Sequence, residues 1–309
     1  KCSIVYSSNI GTFRATYGKG IASPTILNLS GNLFGGLVLG DGEGFTLSDG
    51  TQIPKLKVET INSFEVGYKG VLENKLYVDV NAYYNISENF LSPLVNIATN
   101  GRKVTKRGDT PIQDIIPGTP AAGAAFLLTY QNFGKVDTYG ADIGLNYYLN
   151  ENVNFVLNYS YFDFSLDKSD LNNDGDKNGV VTDTDLPINT PKNKLGFGVN
   201  VSYEKFFGTI FTRWVQAYNF FSGINVAASA DPNIVISGSK LVENARVGRS
   251  WNYGPLGGFV NVDINGGYRF TEKITLSAQV TNLFNTSERE FVASPFISTL
   301  FSVELRYDF

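Results

Sequence analysis

Phe301-Ser-Val-Glu-Leu-Arg-Tyr-Asp-Phe309 decides the fold. Phe301, Val303, Leu305, Tyr307 and Phe309 hold one phase of a two-residue period, and Ser302, Glu304, Arg306 and Asp308 hold the other. Successive side chains on a strand point to opposite faces, so this stretch is wholly apolar on one side and charged or polar on the other. A strand of that kind separates two solvents. A soluble sandwich can supply one such strand, but hardly a whole series.

Working outward from the terminus, the same pattern recurs along the chain. Ile274, Leu276, Ala278 and Val280 alternate with Thr275, Ser277, Gln279 and Thr281, and Val260, Val262 and Ile264 alternate with Asn261, Asp263 and Asn265. Leu76, Val78, Val80, Ala82 and Tyr84 oppose Tyr77, Asp79, Asn81 and Tyr83. Each segment is near the roughly 9–11 residues a tilted strand needs to cross a bilayer. Tight turns near residues 8–11, 73–75, 150–152, 204–206 and 271–273 alternate with long polar spacers near 22–57, 90–130, 167–190, 219–256 and, shorter, 285–296. Short turns on one rim and long loops on the other are the sidedness of a transmembrane antiparallel β-barrel.

Counting back from Phe309 gives about eleven strands. They fall at 2–10, 11–21, 58–71, 75–89, 133–149, 153–166, 191–203, 206–218, 257–270, 273–285 and 297–309. An odd set of antiparallel strands does not close on itself, so the reading expects further strands N-terminal to Lys1, in a chain processed or cut from something longer. The segment 206–218 is the least regular, because Phe207, Phe211 and Arg213 share a phase while Ile210 and Trp214 take the other; a bulge or an inward arginine accounts for it. Aromatics gather at strand ends (Tyr83/Tyr84, Tyr147/Tyr148, Tyr159 to Phe164, Tyr218 to Phe221), as in the interfacial girdles of membrane barrels.

Composition narrows the classes. The chain has 309 residues, 42% apolar and 17% charged, with net charge −4, which leaves no basic footprint for nucleic acid. No apolar run approaches the ~18 residues of a transmembrane helix. One cysteine, Cys2, excludes a disulfide framework. With no histidine, the imidazole-dependent serine, cysteine and zinc hydrolase sites are unavailable, and the chain reads as a non-enzyme with no catalytic residues and no required cofactor.

Several stretches resemble the C-terminal half of TonB-dependent outer-membrane receptors. Arg14-Ala-Thr-Tyr-Gly-Lys-Gly-Ile-Ala-Ser-Pro24 is similar to the family's R-x-S-Y-G-x-G-F-R-A-P stretch, although Ile21-Ala22 replaces Phe-Arg. Lys57 to Gly70 resembles P-E-x-x-x-x-x-E-x-G-x-K, with Glu59, Glu65 and Gly67 in place and Val58 where proline is common. Asn132 to Asp142 looks like the strand carrying a glycine and then an acid. Thr281-Asn-Leu-Phe-Asn285, Arg289-Glu-Phe291 and the terminal strand match the family's most specific signature. The resemblance implies that residues 1–309 are the C-terminal portion of a 22-stranded barrel. It implies an N-terminal plug and a TonB-contacting segment outside this chain, a Gram-negative outer-membrane location, and membrane lipid and lipopolysaccharide as surroundings. The end at Leu305, Tyr307 and Phe309 resembles the signal read by the barrel assembly machinery. The Asn/Asp-rich loops resemble receptors of the Bacteroidetes type, some of which work with a surface lipoprotein.

Charges on the polar phase, Arg14, Glu65, Asp79, Asp142, Asp263, Glu304 and Arg306, are expected to line the lumen, where they hydrate the wall, hold a plug or guide a solute. Asp170, Asn172, Asp174, Asp176 and Asn178 stand at positions 1, 3, 5, 7 and 9 of a calcium-loop spacing with Gly175 at 6, but Val181 stands where the bidentate glutamate belongs. The alternative is a solvated acidic turn. Gly31–Gly44 reads as a flexible loop, and Pro117–Ala125 as a loop tip or hinge. Tyr218, Trp251 and Tyr253 are candidate stacking groups for a ligand in the long loops. Function then reads as energy-coupled import of a large or scarce solute, with a passive porin or scaffolding barrel as the alternative.

Overall fold

The computed structural model describes residues 1–92, 94–175, 179–183, 185–186, 188–221, 235–236, 239–240, 253–256, 258–288, 290 and 295–309. Eleven strands build one antiparallel sheet: β1 Cys2–Ser8, β2 Gly11–Ala22, β3 Glu59–Leu72, β4 Leu76–Glu88, β5 Lys135–Tyr148, β6 Val153–Leu166, β7 Asn193–Tyr203, β8 Phe206–Val215, β9 Phe259–Arg269, β10 Ile274–Thr281 and β11 Leu300–Tyr307. Each pairs with the next in sequence, and the arc is open, with β1 and β11 at its edges. No helix among the described residues is long and apolar enough to cross a membrane.

The register shows why these segments are strands. Tyr6, Phe13, Tyr68, Val80, Ile143, Tyr159, Leu195, Trp214 and Val260 are successive cross-strand partners from β1 to β9. One residue away, Arg14, Gly67, Asn81, Asp142, Ser160 and Lys194 are likewise partners. Partners share a face, so the apolar and polar phases form separate continuous bands. The apolar band stays uncovered: Ile4 is 73% exposed, Val303 58% and Leu305 70%. That is the surface a lipid phase covers.

The irregular 206–218 segment follows the same rule. Ile210 and Trp214 join the apolar band, and Phe207, Phe211 and Arg213 face the polar side. The two phenylalanines need no lipid there, because they lie over glycines: a Cβ on Gly196 would meet the Phe211 ring at 2.9 Å. Phe207 lies over Gly267 in the same way. Three strand ends differ from expectation by three residues or more. β8 stops at Val215 because Tyr218–Phe221 joins a separate ladder with Tyr253–Leu256. β10 stops at Thr281 because Asn282 takes a left-handed backbone, φ 53°, and β11 begins only at Leu300.

The larger correction concerns the loops. Residues 22–57 and 90–130 are not structureless spacers; they fold together. Phe45–Leu47 pairs with Val104–Arg107 and Gln52–Ile53, while Val38–Leu39 and Val95–Asn96 flank Leu128–Thr129. Leu39, Phe45, Leu47, Ile53, Val95, Ile97, Val104 and Leu127 make a shared core. Gly31–Gly44, read as flexible, contains buried Val38 and Leu39. Its glycines serve close packing: a Cβ on Gly40 would fall 2.5 Å from the Leu29 backbone. Pro117–Ala125 contains Ala124, which pairs with Val104 inside the same unit.

The two-solvent wall makes a numerical prediction. Ile143 lies midway between the Tyr147 and Tyr139 ends of β5 on the apolar face, so Ile143→Lys is expected to destabilise the folded barrel by about 2–4 kcal/mol. Asn146→Lys on the polar phase should cost about 1 kcal/mol or less. Equilibrium urea unfolding in lipid vesicles measures both, and equal penalties would sink the assignment of faces.

Candidate functional site at the loop rim

The seven charges expected along the lumen occupy the polar phase of the register, on six different strands. Four come together on β2 to β5. Arg14 Nη2 donates to Asn81 Oδ1 (3.1 Å) and lies 3.8 Å from Glu65. Asn81 Nδ2 donates to Asp79 (2.9 Å), Lys69 sits 3.8 Å from Asp79, and Ser160 donates to Asp142 (2.6 Å). Asp79, Asn81, Asp142 and Ser160, together with Tyr77, Asn146 and Asn158, border a shallow cavity of about 360 Å³. Asp263 lies apart and accepts the Asn282 amide (2.8 Å), Glu304 faces Ser277, and Arg306 pairs with Asp308 at 2.9 Å. Mixed signs paired at these distances give a hydrated, nearly neutral wall rather than a single-sign funnel.

Two long loops fold onto this polar face. Between β6 and β7, Val181 and Leu186 pack on Phe133, Val136 and Leu166, and Val136 and Leu166 are register partners on the polar phase. Between β10 and β11, Glu288 is 1% exposed, accepts from Asn261 Nδ2 (2.9 Å) and lies 3.5 Å from Arg213. Arg213 also reaches Glu290 at 3.4 Å. The mouth is therefore lined by anchored loops.

Three asparagines tie the loops at their feet. Asn132 accepts the Lys57 amide (2.6 Å) and donates to Lys57 O (3.2 Å) and Asn89 O (2.7 Å), joining the bases of the two loops that form the shared core. Asn173 accepts from Gly134 N (2.8 Å) and donates to Lys135 O (3.2 Å) and Asp167 O (2.9 Å). Asn282 accepts from Thr286 N (2.8 Å) and donates to Thr286 O (2.9 Å) and Ile297 O (2.9 Å). Sequence reading placed Asn282 inside a signature and Asn132 at the edge of one, without seeing what either holds. An amide side chain satisfies a donor and an acceptor of the backbone at once, which suits it to a loop foot.

The calcium-like turn lies in the β6–β7 loop. Asp170 accepts from the Asn172 amide (2.9 Å) and side chain (2.8 Å), Asp174 accepts from Gly179 N (2.6 Å), and Asp185 accepts from Gly175 N (3.2 Å) and Thr182 N (2.6 Å). Asp176 and Asn178 lie outside the described residues. Among the described residues no three acidic groups converge as a cation shell. In this geometry Asn172 offers Asp170 donors rather than an oxygen to a common centre.

Of the stacking candidates, Tyr218 is half-buried and donates to Glu290 O (3.0 Å). Tyr253 stands opposite Phe221 in the ladder that Tyr218 begins. Trp251 lies outside the described residues. At the terminus the Tyr307 and Phe309 rings meet edge to face at 5.0 Å, and Leu305 stays 70% exposed on the apolar face.

Asp41 is a site residue the sequence did not flag. It is fully buried in the shared loop core; one oxygen accepts from Gly44 N (2.7 Å), and the other has no partner. Burial pushes its carboxyl up to about 7, against the lowering effects of the Gly44 bond and of Arg107.

The comparisons agree with this geometry. The family described as TonB dependent receptor-like, beta-barrel, matches residues 3–283, and the chain belongs to it. It is a β-barrel protein of the Gram-negative outer membrane. Among solved structures it is similar to the copper transporter OprC, with 14% identity over 99% of this chain and 39% of that one, TM-score 0.59. The ferripyoverdine receptor of Pseudomonas aeruginosa matches at 14% identity over 99% and 32%, TM-score 0.57. The FrpB iron transporter of Neisseria meningitidis matches at 11% over 99% and 38%, TM-score 0.57. At these identities the likeness shows the fold, and the chain spans 32–39% of those three structures. No curated protein matches.

Two outcomes follow. Asn282→Ala strands partners at the foot of the last loop, at a cost of about 1–3 kcal/mol. Proteolysis within 283–299 should accelerate while the folded barrel keeps its electrophoretic mobility; unchanged cleavage would remove the clamp role. Asp41 carries a raised pKa, so the folded loop unit holds a proton that the unfolded chain has released between 3.8 and about 7. Its contribution is most favourable below the lower value and declines as pH rises toward the upper one. Hydrogen exchange at Leu39, Phe45 and Val104, corrected for intrinsic rates, should show protection falling across that window in wild type and level in Asp41→Asn.

Proposed function

We propose that the chain is the C-terminal barrel portion of a receptor that imports a scarce or large solute across the outer membrane with energy supplied through TonB. The observation that carries the reading is the division of labour: a regular, paired wall of the receptor family, with the buried core invested in loops at one rim. A passive pore would leave its mouth open. Here two loops are fastened onto the polar face, so the rim presents fixed surfaces for a cargo to contact.

In this proposal the remaining strands of a 22-stranded barrel pair with β1 and β11, and a plug from the same polypeptide rests on the paired charges of β2 to β5. Trp251, Tyr253 and Tyr218 contact the ligand, and Leu305, Tyr307 and Phe309 present the assembly signal. The structural neighbours' cargoes, copper and ferripyoverdine, belong to those proteins; the family assignment fixes neither a solute nor a subgroup with a surface lipoprotein. Calcium at Asp170, Asn172, Asp174, Asp176 and Asn178 is proposed on spacing alone, and calorimetric titration of the receptor against an Asp174→Asn variant checks it.

The decisive measurement is uptake. A radiolabelled solute that co-purifies with the full receptor should accumulate in cells with TonB and cease to accumulate when TonB is deleted or the proton gradient is collapsed. Accumulation that survives both treatments makes the protein a passive pore.

A further inference from the structure

The exposed large apolar residues of the shared loop unit fall in one short stretch. Among the described residues of 23–57 and 90–130 they are Ile26 (84% exposed), Leu27, Leu33, Phe34 (60%) and Leu37. The second loop contributes none of them. This patch is held in shape. Thr25 closes the helix Ile26–Ser30 with a reciprocal capping box, yet that helix buries no residue. Phe34 keeps a left-handed backbone, φ 55°, which bulky residues rarely adopt. The turn behind it is fixed by the other loop: a Cβ on Gly36 would fall 2.6 Å from Ile116, and Leu37 O accepts from Leu128 N (2.9 Å). A strained backbone thus holds a phenylalanine whose ring has nothing over most of its surface, and strain of that kind gathers where a surface is built to be met.

The small sheet beneath the patch is equally one-sided. Its strands run in the order Asn32–Leu33, Val38–Leu39, Leu128–Thr129 and Val95–Asn96, so the first loop supplies one edge and the second loop the other. The Val95–Asn96 edge is buried, whereas Asn32–Leu33 is exposed and free to pair. The free edge belongs to the loop nearest β1. There the wall is also unfinished. The β1–β2 ladder ends at Cys2 and Tyr17, but β2 runs on to Ala22 and over Gly18–Ala22 pairs only with β3. The tight turn at Ser8–Gly11 lies at the opposite rim, so chain leading into Cys2 arrives through the loop rim, alongside Gly18–Ala22 and toward the segment that begins at Ile26. The structures of OprC, the ferripyoverdine receptor and FrpB hold such further chain, since this one spans 32–39% of them.

We infer that the receptor segment leading into Cys2 completes the loop unit. It extends the β1–β2 ladder along Gly18–Ala22, adds an extended stretch to the Asn32–Leu33 edge, and seats apolar side chains over Ile26, Leu27, Phe34 and Leu37. The inference rests on the reading that further barrel strands precede β1. Free edge, exposed apolar groups and unfinished ladder all lie on one side of the unit, which selects an occupant from the same barrel over one that approaches from outside. Three loops then share one core, and the two portions of the barrel are joined above the membrane as well as within it.

Photocrosslinking of the purified full receptor, without TonB or cargo, tests this. With p-benzoylphenylalanine in place of Phe34, irradiation should join residue 34 to a peptide of the loop that ends at Cys2, within one polypeptide by gel mass and mapped by tryptic mass spectrometry. The same group in place of Leu171, exposed in the β6–β7 loop, should give no such product. Phe34→Ser should speed amide hydrogen exchange in the preceding loop and over 32–37 roughly tenfold and leave β4 to β6 unchanged. Heat-dependent gel mobility verifies that each variant is folded. A product joining residue 34 to another protein, a second copy or lipid, the absence of any product, or unchanged exchange would each overturn the proposal. None of these results depends on energy coupling: a passive barrel would give the same crosslink, and only the uptake measurement separates it from a TonB-driven receptor.

Discussion

Lipid cannot hydrogen-bond a peptide group, and the remaining structure depends on that. A segment crossing the hydrocarbon must pair every amide with a neighbour, and a sheet does so only by running strand beside strand without interruption. Between its two edge strands the ladder from β1 to β11 meets that demand, and its register then fixes everything that points outward or inward. Slipping one strand by one residue would bring Asp79 or Asp142 into the lipid phase and turn Val80 or Ile143 to water. Charges on the polar phase thus specify the wall mainly by where they must not go. Phe207 and Phe211 show that the polar phase tolerates rings when glycine makes a floor for them.

The wall has little interior of its own in this open arc, which inverts the usual layout. Most of its apolar side chains are exposed, and fully buried ones such as Leu39, Phe45, Val104 and Leu127 lie in water-facing loops. Loops above the membrane face the ordinary folding problem: ordering many residues costs conformational entropy that a hydrophobic core must offset. The two long loops solve it jointly, each supplying strands the other lacks. Joint folding also couples them, because displacing one exposes the core of both.

That difference sets what was readable. Strand position, face and sidedness are encoded within ten residues, since a period of two is visible in any window. The eleven spans and the polar-phase charges were therefore legible from the chain alone. The loop core was not, because its contacts join residues far apart in sequence: Phe45 meets Arg107, and Val38 meets Leu128. Polar-looking spacers hid it, with Val38, Leu39, Phe45 and Leu47 scattered among glycines and acids. The roles of Asn132, Asn173 and Asn282 were hidden for a related reason. An asparagine in a loop reads as a turn former until its backbone partners are known. Asp41 looked like one more loop acid, and only its burial gives it chemistry.

The choice of asparagine at the loop feet bears on how a receptor mouth keeps its shape. Ion pairs at a wet rim weaken with salt and cost side-chain entropy. A neutral amide that bridges backbone groups is indifferent to ionic strength and, having no proton to lose, to pH. Asn132, Asn173 and Asn282 thus fix the feet under any medium outside the cell, while titratable Asp41 sits higher, inside the loop unit rather than at its attachment. Proton-sensitive adjustment at Asp41 thus belongs to the loop unit rather than to its feet. The Arg213 contacts to Glu288 and Glu290 lie between these extremes, anchored on a carboxylate that is 1% exposed yet reached by an arginine side chain 42% open to solvent.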